Sequence, residues 1–218
     1  ALISDSEVTA AGDININAND IAPTMIPLMD AVGSYITDGE TVQDLKDGLS
    51  GTPFDPTANI ISLMVSVAGT GGVAVNGAFT GNVISISIEA LIDNSKVVSN
   101  TGIIQLDTES RAGILALTVG VAGSGAVAVN ATGFGNVINN SISSRITNGS
   151  EVITGSPAGD IRLDAKDTSL IRSAAISVAG TGGIAAGALI GANVITNSVI
   201  TEISSSTVES GSKLELTS

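Results

Sequence analysis

Residues 67–76 read "VAGTGGVAVN", and the meaning of that stretch decides the fold. Taken alone, Gly69, Gly71 and Gly72 look like a loop that cradles a phosphate. The rest of the chain argues otherwise. The stretch returns as "VAGSGAVAVN" at 121–130 and as "VAGTGGIAAG" at 178–187, at steps of 54 and 57 residues. A nucleotide fingerprint occurs once, between a strand and a helix. A motif that occurs three times, with strand-like sequence on both sides, is the unit of a stacked repeat.

The self-similarity extends well beyond ten positions. "GNVI" at 81–84 recurs at 135–138 and as "ANVI" at 192–195, and "IDNSKV" at 92–97 matches "ITNGSEV" at 146–152. "IIQLDTES" at 103–110 matches "IRLDAKDTS" at 161–169, and "SEVTAAGDININANDIA" at 6–22 resembles "SEVITGSPAGDIRLDAKDTS" at 150–169. Inside the repeat, Ile61, Leu63, Val65, Val67, Val73 and Val75 alternate with Ser, Ala, Thr, Gly and Asn, a period of two rich in β-branched residues. At Val83-Ile84 the apolar residues change phase, and Val137-Ile138 repeats the change. Such a change reads as a corner or bulge that keeps the apolar face inward.

These patterns predict an all-β fold, a parallel β-solenoid of about three repeats of 54–57 residues, with residues 1–218 as a single domain. Each repeat is one very wide coil or two coils of roughly 27 residues. Stacked turns place equivalent residues about 4.8 Å apart along the axis. Asn82, Asn136 and Asn193 then form a column, as do Asn76 and Asn130. Asn ladders bond to one another and satisfy turn carbonyls. Gly69, Gly123 and Gly180 form another column, and Gly71, Gly125 and Gly182 a third, with a geometric role in the backbone.

Residues 21–58 interrupt the repeat. Met25, Met29, Val32 and Ile36 recur at helical spacing behind Thr24 as a cap, and "DGETVQDLKDGLSG" reads as a second short helix with Thr41 and Asp44 as an imperfect capping box. The expectation is a helical hairpin inserted at one corner of the solenoid.

Charge is scarce and unevenly placed. Charged residues are 13% of the chain and aromatics 2%, so Ser, Thr, Asn and Gly are expected to make much of the surface. Residues 56–88, 112–144 and 173–201 carry no ionisable side chain. One reading is a Ser/Thr/Asn surface wet by solvent. The other is a covered face, packed under a second layer, the insert or another copy. The net charge of −13 argues against nucleic-acid backbones and anionic membranes as partners. No apolar run approaches the length of a membrane helix. The absence of His and Cys excludes the usual hydrolase triads and leaves no thiolate or disulfide chemistry. Asp107 and Asp164 stack in successive turns, like the paired acids of solenoid polysaccharide lyases. Their column, Asn17, Asp107, Asp164, Thr217, reads better as a turn position of drifting identity that could at most hold Ca²⁺ weakly. No catalytic residue, cofactor site or metal site is assigned.

The units "SVAGTGGVAVNGAFTGNVISISIEALIDNSKV" and "GDIRLDAKDTSLIRSAAISVAG" resemble the repeats of large secreted bacterial surface proteins, the filamentous-haemagglutinin and leukotoxin-like adhesins exported by type V routes. The resemblance covers all but the insert and rests on "V-A-G-x-G", then "N-x-V", then "D-N-S-x-V". It implies a non-catalytic β-solenoid shaft, an extracellular or cell-surface location, and partners that are adjoining repeats, other copies, or surface glycans and proteins. A start at Ala1 rather than Met, with no signal peptide, reads as a processed chain or a piece of a longer one. "ISDSEVTAAGDINI" and "ISSSTVESGSKLEL" share one phase of the repeat, so a filament or sheath subunit that polymerises head-to-tail through its ends and uncharged faces is an alternative. A carbohydrate-active β-helix enzyme is a second one.

Overall fold

The computed structural model describes residues 1–23 and 57–218, and it is a parallel β-solenoid with five strands per turn. The first turn holds β1 (Leu2–Ser4), β2 (Glu7–Ala10), β3 (Ile14–Ile21), β4 (Ile60–Thr70) and β5 (Val73–Ile84). The second holds β6 (Ser87–Asp93), β7 (Lys96–Ser99), β8 (Ile104–Arg111), β9 (Gly113–Ser124) and β10 (Val127–Ile138). The third holds β11 (Ser141–Thr147), β12 (Glu151–Thr154), β13 (Ile161–Asp167), β14 (Leu170–Thr181) and β15 (Ile184–Ile195). A partial fourth turn adds β16 (Ser198–Ile203), β17 (Thr207–Glu209) and β18 (Leu214–Thr217). One repeat is therefore one wide coil. Among the described residues there is no helix. The expected helical hairpin lies, from Thr24 to Pro56, outside the described residues. Its assigned borders belong to the solenoid instead, because Ile21 ends β3 and Ala58 N–H donates to Pro23 O at 3.1 Å.

Strands one turn apart pair in parallel to make five sheets. Sheet I is β1-β6-β11-β16, sheet II β2-β7-β12-β17 and sheet III β3-β8-β13-β18. These three enclose a lobe. Sheet IV (β4-β9-β14) and sheet V (β5-β10-β15) pack face to face and project from the lobe as a flat fin.

The lobe is apolar inside because the columns repeat apolar residues. Ile92 stacks between Ile3 and Ile146, Val97 between Val8 and Val152, and Leu106 between Ile16 and Leu163. Ile92, Val97, Leu106, Ile146, Val152 and Leu163 are fully buried. Burying such a side chain stabilises by about 1.5–3 kcal/mol. Stacking like on like keeps register, since a slip of one residue would turn each row to solvent.

Corners absorb the difference between 54 and 57 residues. The turn from β11 to β12 gains Gly149 (φ 81°), and the loop from β12 to β13 gains the rest, while the paired strands stay aligned. The corner between sheets I and II is left-handed in every turn: Asp5, Asn94, Asn148 and Ser205 have φ of 49°, 44°, 59° and 50°. Asp and Asn tolerate that region and Ser does so less well. Ser205→Asn is therefore expected to raise stability by about 0.5–1 kcal/mol, read as a higher urea midpoint at unchanged m-value.

Candidate functional site: a polar-cored fin with apolar faces

The fin reverses the usual arrangement of a β-sandwich. In β5 the even-numbered residues point inward and the odd-numbered ones outward, without interruption from Val73 to Ile84. The buried positions are Ala74, Asn76, Ala78, Thr80 and Asn82, and Val73, Val75, Phe79 and Val83 face solvent. Sheet IV does the same, with Leu63, Val65 and Val67 exposed in β4. Two expectations are thereby corrected. There is no change of facing at Val83-Ile84, because the inward phase continues into Ile88, Ala90 and Ile92 of the lobe. What changes there is the kind of residue inside. The uncharged stretches are also not a Ser/Thr/Asn surface, because those residues line the interior and Val, Leu and Ile form the outside.

The close approach of the two sheets explains the choice of small and planar side chains. Asn76 Nδ2 donates across the fin to Ser66 O at 2.9 Å and up the stack to Asn130 Oδ1 at 3.1 Å. Asn130 Nδ2 donates to Gly120 O at 2.6 Å and to Ser177 Oγ at 2.9 Å. Asn82 Nδ2 donates to Asn136 Oδ1 at 2.7 Å, and Asn136 Nδ2 to Asn193 Oδ1 at 2.9 Å. Ser62 Oγ donates to Asn82 Oδ1 at 2.5 Å, and Thr80 and Thr118 bond through their hydroxyls at 2.7 Å. Both columns thus lie within strands and not in turns: Asn76 and Asn130 satisfy backbone carbonyls of the facing sheet, and Asn82, Asn136 and Asn193 bond the Ser62 and Ser173 hydroxyls there. A further column that the sequence reading missed, Asn140 and Asn197, caps the next corner: Ile86 N–H donates to Asn140 Oδ1 at 3.2 Å and Asn140 N–H to Asn197 Oδ1 at 2.8 Å. Its signal is the Asn immediately before β11 and β16.

The glycines of "VAGTGG" form the tip of the fin. The chain leaves sheet IV at Thr70 and enters sheet V at Val73, with Gly72 N–H donating to Thr70 Oγ1 at 2.9 Å and Gly183 N–H to Thr181 Oγ1 at 3.1 Å. Gly69, Gly123 and Gly180 stack in register on the outside of sheet IV, with open space where a side chain would stand. Gly71, Gly125 and Gly182 follow in the turn. A Cβ on Gly125 would lie 2.4 Å from Gly71 O.

Asp107 and Asp164 pair in one column with Asn17 and Thr217. That column lies on the outer face of sheet III, in strands and not in a turn. Partial burial, then the Asp164 and Glu109 charges, push the Asp107 carboxyl above the usual carboxylate range. Arg111 bonds Glu109 at 2.8 Å and Arg162 bonds Asp160 at 2.6 Å, and these hydrogen bonds hold both acids below it. For Asp107, whose folded pKa is raised, stability increases as pH falls through that pKa towards the ordinary carboxylate value, and for the two lowered acids it decreases at lower pH, from the ordinary value down through their folded pKa. Asp107→Asn is expected to stabilise by about 0.2–1 kcal/mol at neutral pH, the cost of like charges on adjacent strands. The gain should shrink on acidification, as measured by urea unfolding at pH 7 and pH 4. Among the described residues no group of three or more acidic side chains could hold a metal ion.

No protein-family model matches the chain, and no curated protein or solved structure matches it.

Proposed function

We propose that the chain is a non-catalytic shaft segment of a secreted bacterial cell-surface adhesin or extracellular filament. The observation that carries this reading is the in-register stack itself, in which core columns such as Ile3–Ile92–Ile146–Ile203 and Val8–Val97–Val152–Val208 run from the first turn to the last. Stability in such a stack is a sum of nearest-neighbour terms, so the same unit extends a rod without redesign. The charged face of sheet III is a row of ion pairs on a sheet surface, which suits solvation better than turnover. Antibodies raised against the chain are expected to label the outside of intact cells of the source organism in immunogold microscopy. Labelling confined to the cytoplasm would overturn the location and with it the function.

A head-to-tail polymer has one specific point in its favour. Stacking β1–β3 of one copy on β16–β18 of another would bring Ile3, Val8, Ile14 and Ile16 over Ile203, Val208, Leu214 and Leu216. Against it, sheets IV and V are three strands deep where the lobe sheets are four, so the seam would hold a slot one strand deep in the fin. Negative-stain images of the purified chain separate the two readings: long uniform filaments support the polymer, and short particles of one size support the shaft segment.

A further inference from the structure

Sheet V presents a broad uncharged face with no partner among the described residues. Its outward columns are Val73–Val127–Ile184, Val75–Val129–Ala186, Phe79–Gly133–Ile190 and Val83–Val137–Val194. Val75 and Ile190 in the edge strands are 70% and 73% exposed and Val129 between them 37%, an apolar patch of a kind that marks an interaction site. We propose that this face packs against the same face of a second copy of the chain.

Three observations select that occupant. The face has no ionisable group, so a charged partner finds nothing to pair with, while a second copy brings an equally neutral surface. The charge of −13 that would oppose self-association lies elsewhere. A twofold, tip-to-base arrangement of the 12-residue strands keeps the two acidic lobes about 40 Å apart, several times the Debye length of ~8 Å. The face also carries both a projection and its complement. Ile190 projects at one end of a column whose middle is Gly133, the Phe79 ring leans over Gly133 from the other end, and an apolar notch of about 340 Å³ lies beside them, lined by Gly77, Ala131, Gly133 and Ala188. A self-complementary patch of this kind is what an isologous contact requires.

Area is the third argument. Three strands of about 40 Å at a spacing of ~4.8 Å give a face of roughly 560 Å², so two faces bury on the order of 1,100 Å², just past the ~1,000 Å² lower bound of a biological interface and in the range of weak, reversible ones. A lipid bilayer fits less well, because among the described residues no strand pairs with the outer edges of β5 and β15, and hydrocarbon cannot satisfy backbone groups left so. Such a contact holds whether or not the chain serves as a shaft.

The test is sedimentation equilibrium of the full 218-residue chain over a range of concentrations. The mass is expected to rise from 21.5 kDa towards twice that value, with a Kd on the order of 1–10 µM. Val75→Lys and, separately, Ile190→Lys should each weaken the dimer at least about tenfold, one desolvated charge being worth ~1.4 kcal/mol or more, with circular dichroism and the unfolding midpoint unchanged. Val65→Lys, on the opposite face of the fin, should leave the dimer intact. A wild-type chain that stays monomeric throughout overturns the proposal. So does an equal loss from Val65→Lys, or a monomer that floats with phosphatidylcholine vesicles.

Discussion

Asn130→Asp should unfold the fin at neutral pH and regain part of its structure in acid. Asn130 is fully buried, and its amide joins three separate parts of the fin. Its oxygen accepts from Asn76 Nδ2, while its nitrogen donates to Gly120 O at 2.6 Å and to Ser177 Oγ. An aspartate in its place has no hydrogen to offer the Gly120 carbonyl, so two acceptors would face each other in a site without water. Burial and that carbonyl would both raise the new carboxyl's folded pKa above its unfolded value of ~3.9. The sign follows from linkage: a raised acid destabilises above its folded pKa, and the loss is recovered as pH falls through that value. Asn130→Ala tests the neutral part. It removes the bonds to the Gly120 carbonyl and the Ser177 hydroxyl, at about 1–3 kcal/mol for each group left unpaired, while Asn76 keeps its bonds to Ser66 O and Val121 O, so the loss shows no acid recovery. Urea unfolding at pH 7 and pH 4 would separate the two variants. Hydrogen exchange should show the opening concentrated in β9 and β10, with the lobe strands β8 and β13 protected. Equal losses across fin and lobe would mean that the polar ladder is incidental to the fin.

The same ladder marks where the sequence could be read and where it could not. Register was legible, because in a parallel stack of one coil per repeat the spacing between repeats is the spacing between columns. The offsets of 54 and 57 residues therefore pair Asn82 with Asn136 and Asn193, and Asp107 with Asp164, directly. Facing was not. A period of two says which residues share a side, not which side is inside. The rule that holds in the lobe, apolar row inward, places Val65, Val67, Val73 and Val75 in the interior, and the structure exposes them. The fin obeys a different constraint, because its closely packed interior is filled by small and hydrogen-bonding side chains, Ala, Ser, Thr and Asn, that bond across it. The phase of Ile84, Ile88, Ala90 and Ile92, followed backwards without a break, leads to Asn82, Thr80, Ala78, Asn76 and Ala74, the residues the structure buries. The apparent change at Val83-Ile84 was a change of composition across the boundary between fin and lobe. An outward apolar residue on a solvated sheet breaks the expected pattern, and it does so where another surface has to arrive.

Gly125→Ala and Gly123→Ala should differ sharply although they lie two residues apart in one motif. At Gly125 an added Cβ falls 2.4 Å from Gly71 O, in the backbone of the turn below, and at Gly123 nothing lies within 4 Å. The obstacle at Gly125 is main chain held by pairing: Gly125 N–H donates to Thr70 O at 3.3 Å and Ala126 N–H to Gly72 O at 3.1 Å. Relief requires two tip turns to separate, at about 1–3 kcal/mol for an overpacked site, and that separation pulls on the ladders behind the tip. Gly123→Ala places a methyl on the outside of sheet IV. It should change stability by no more than about 0.5 kcal/mol, or raise it slightly by narrowing the unfolded ensemble. Gly183→Ala meets Ala126 O at 2.3 Å but lies in the last turn of the fin, where β15 has no strand above it and can shift. Its loss should be intermediate. Thermal unfolding of the three variants gives the order Gly125, Gly183, Gly123 from most to least damaged. That order ties the "GTGG" glycines to the approach of one backbone turn to the next, since a loop shaped for a phosphate would show no dependence on position along the stack.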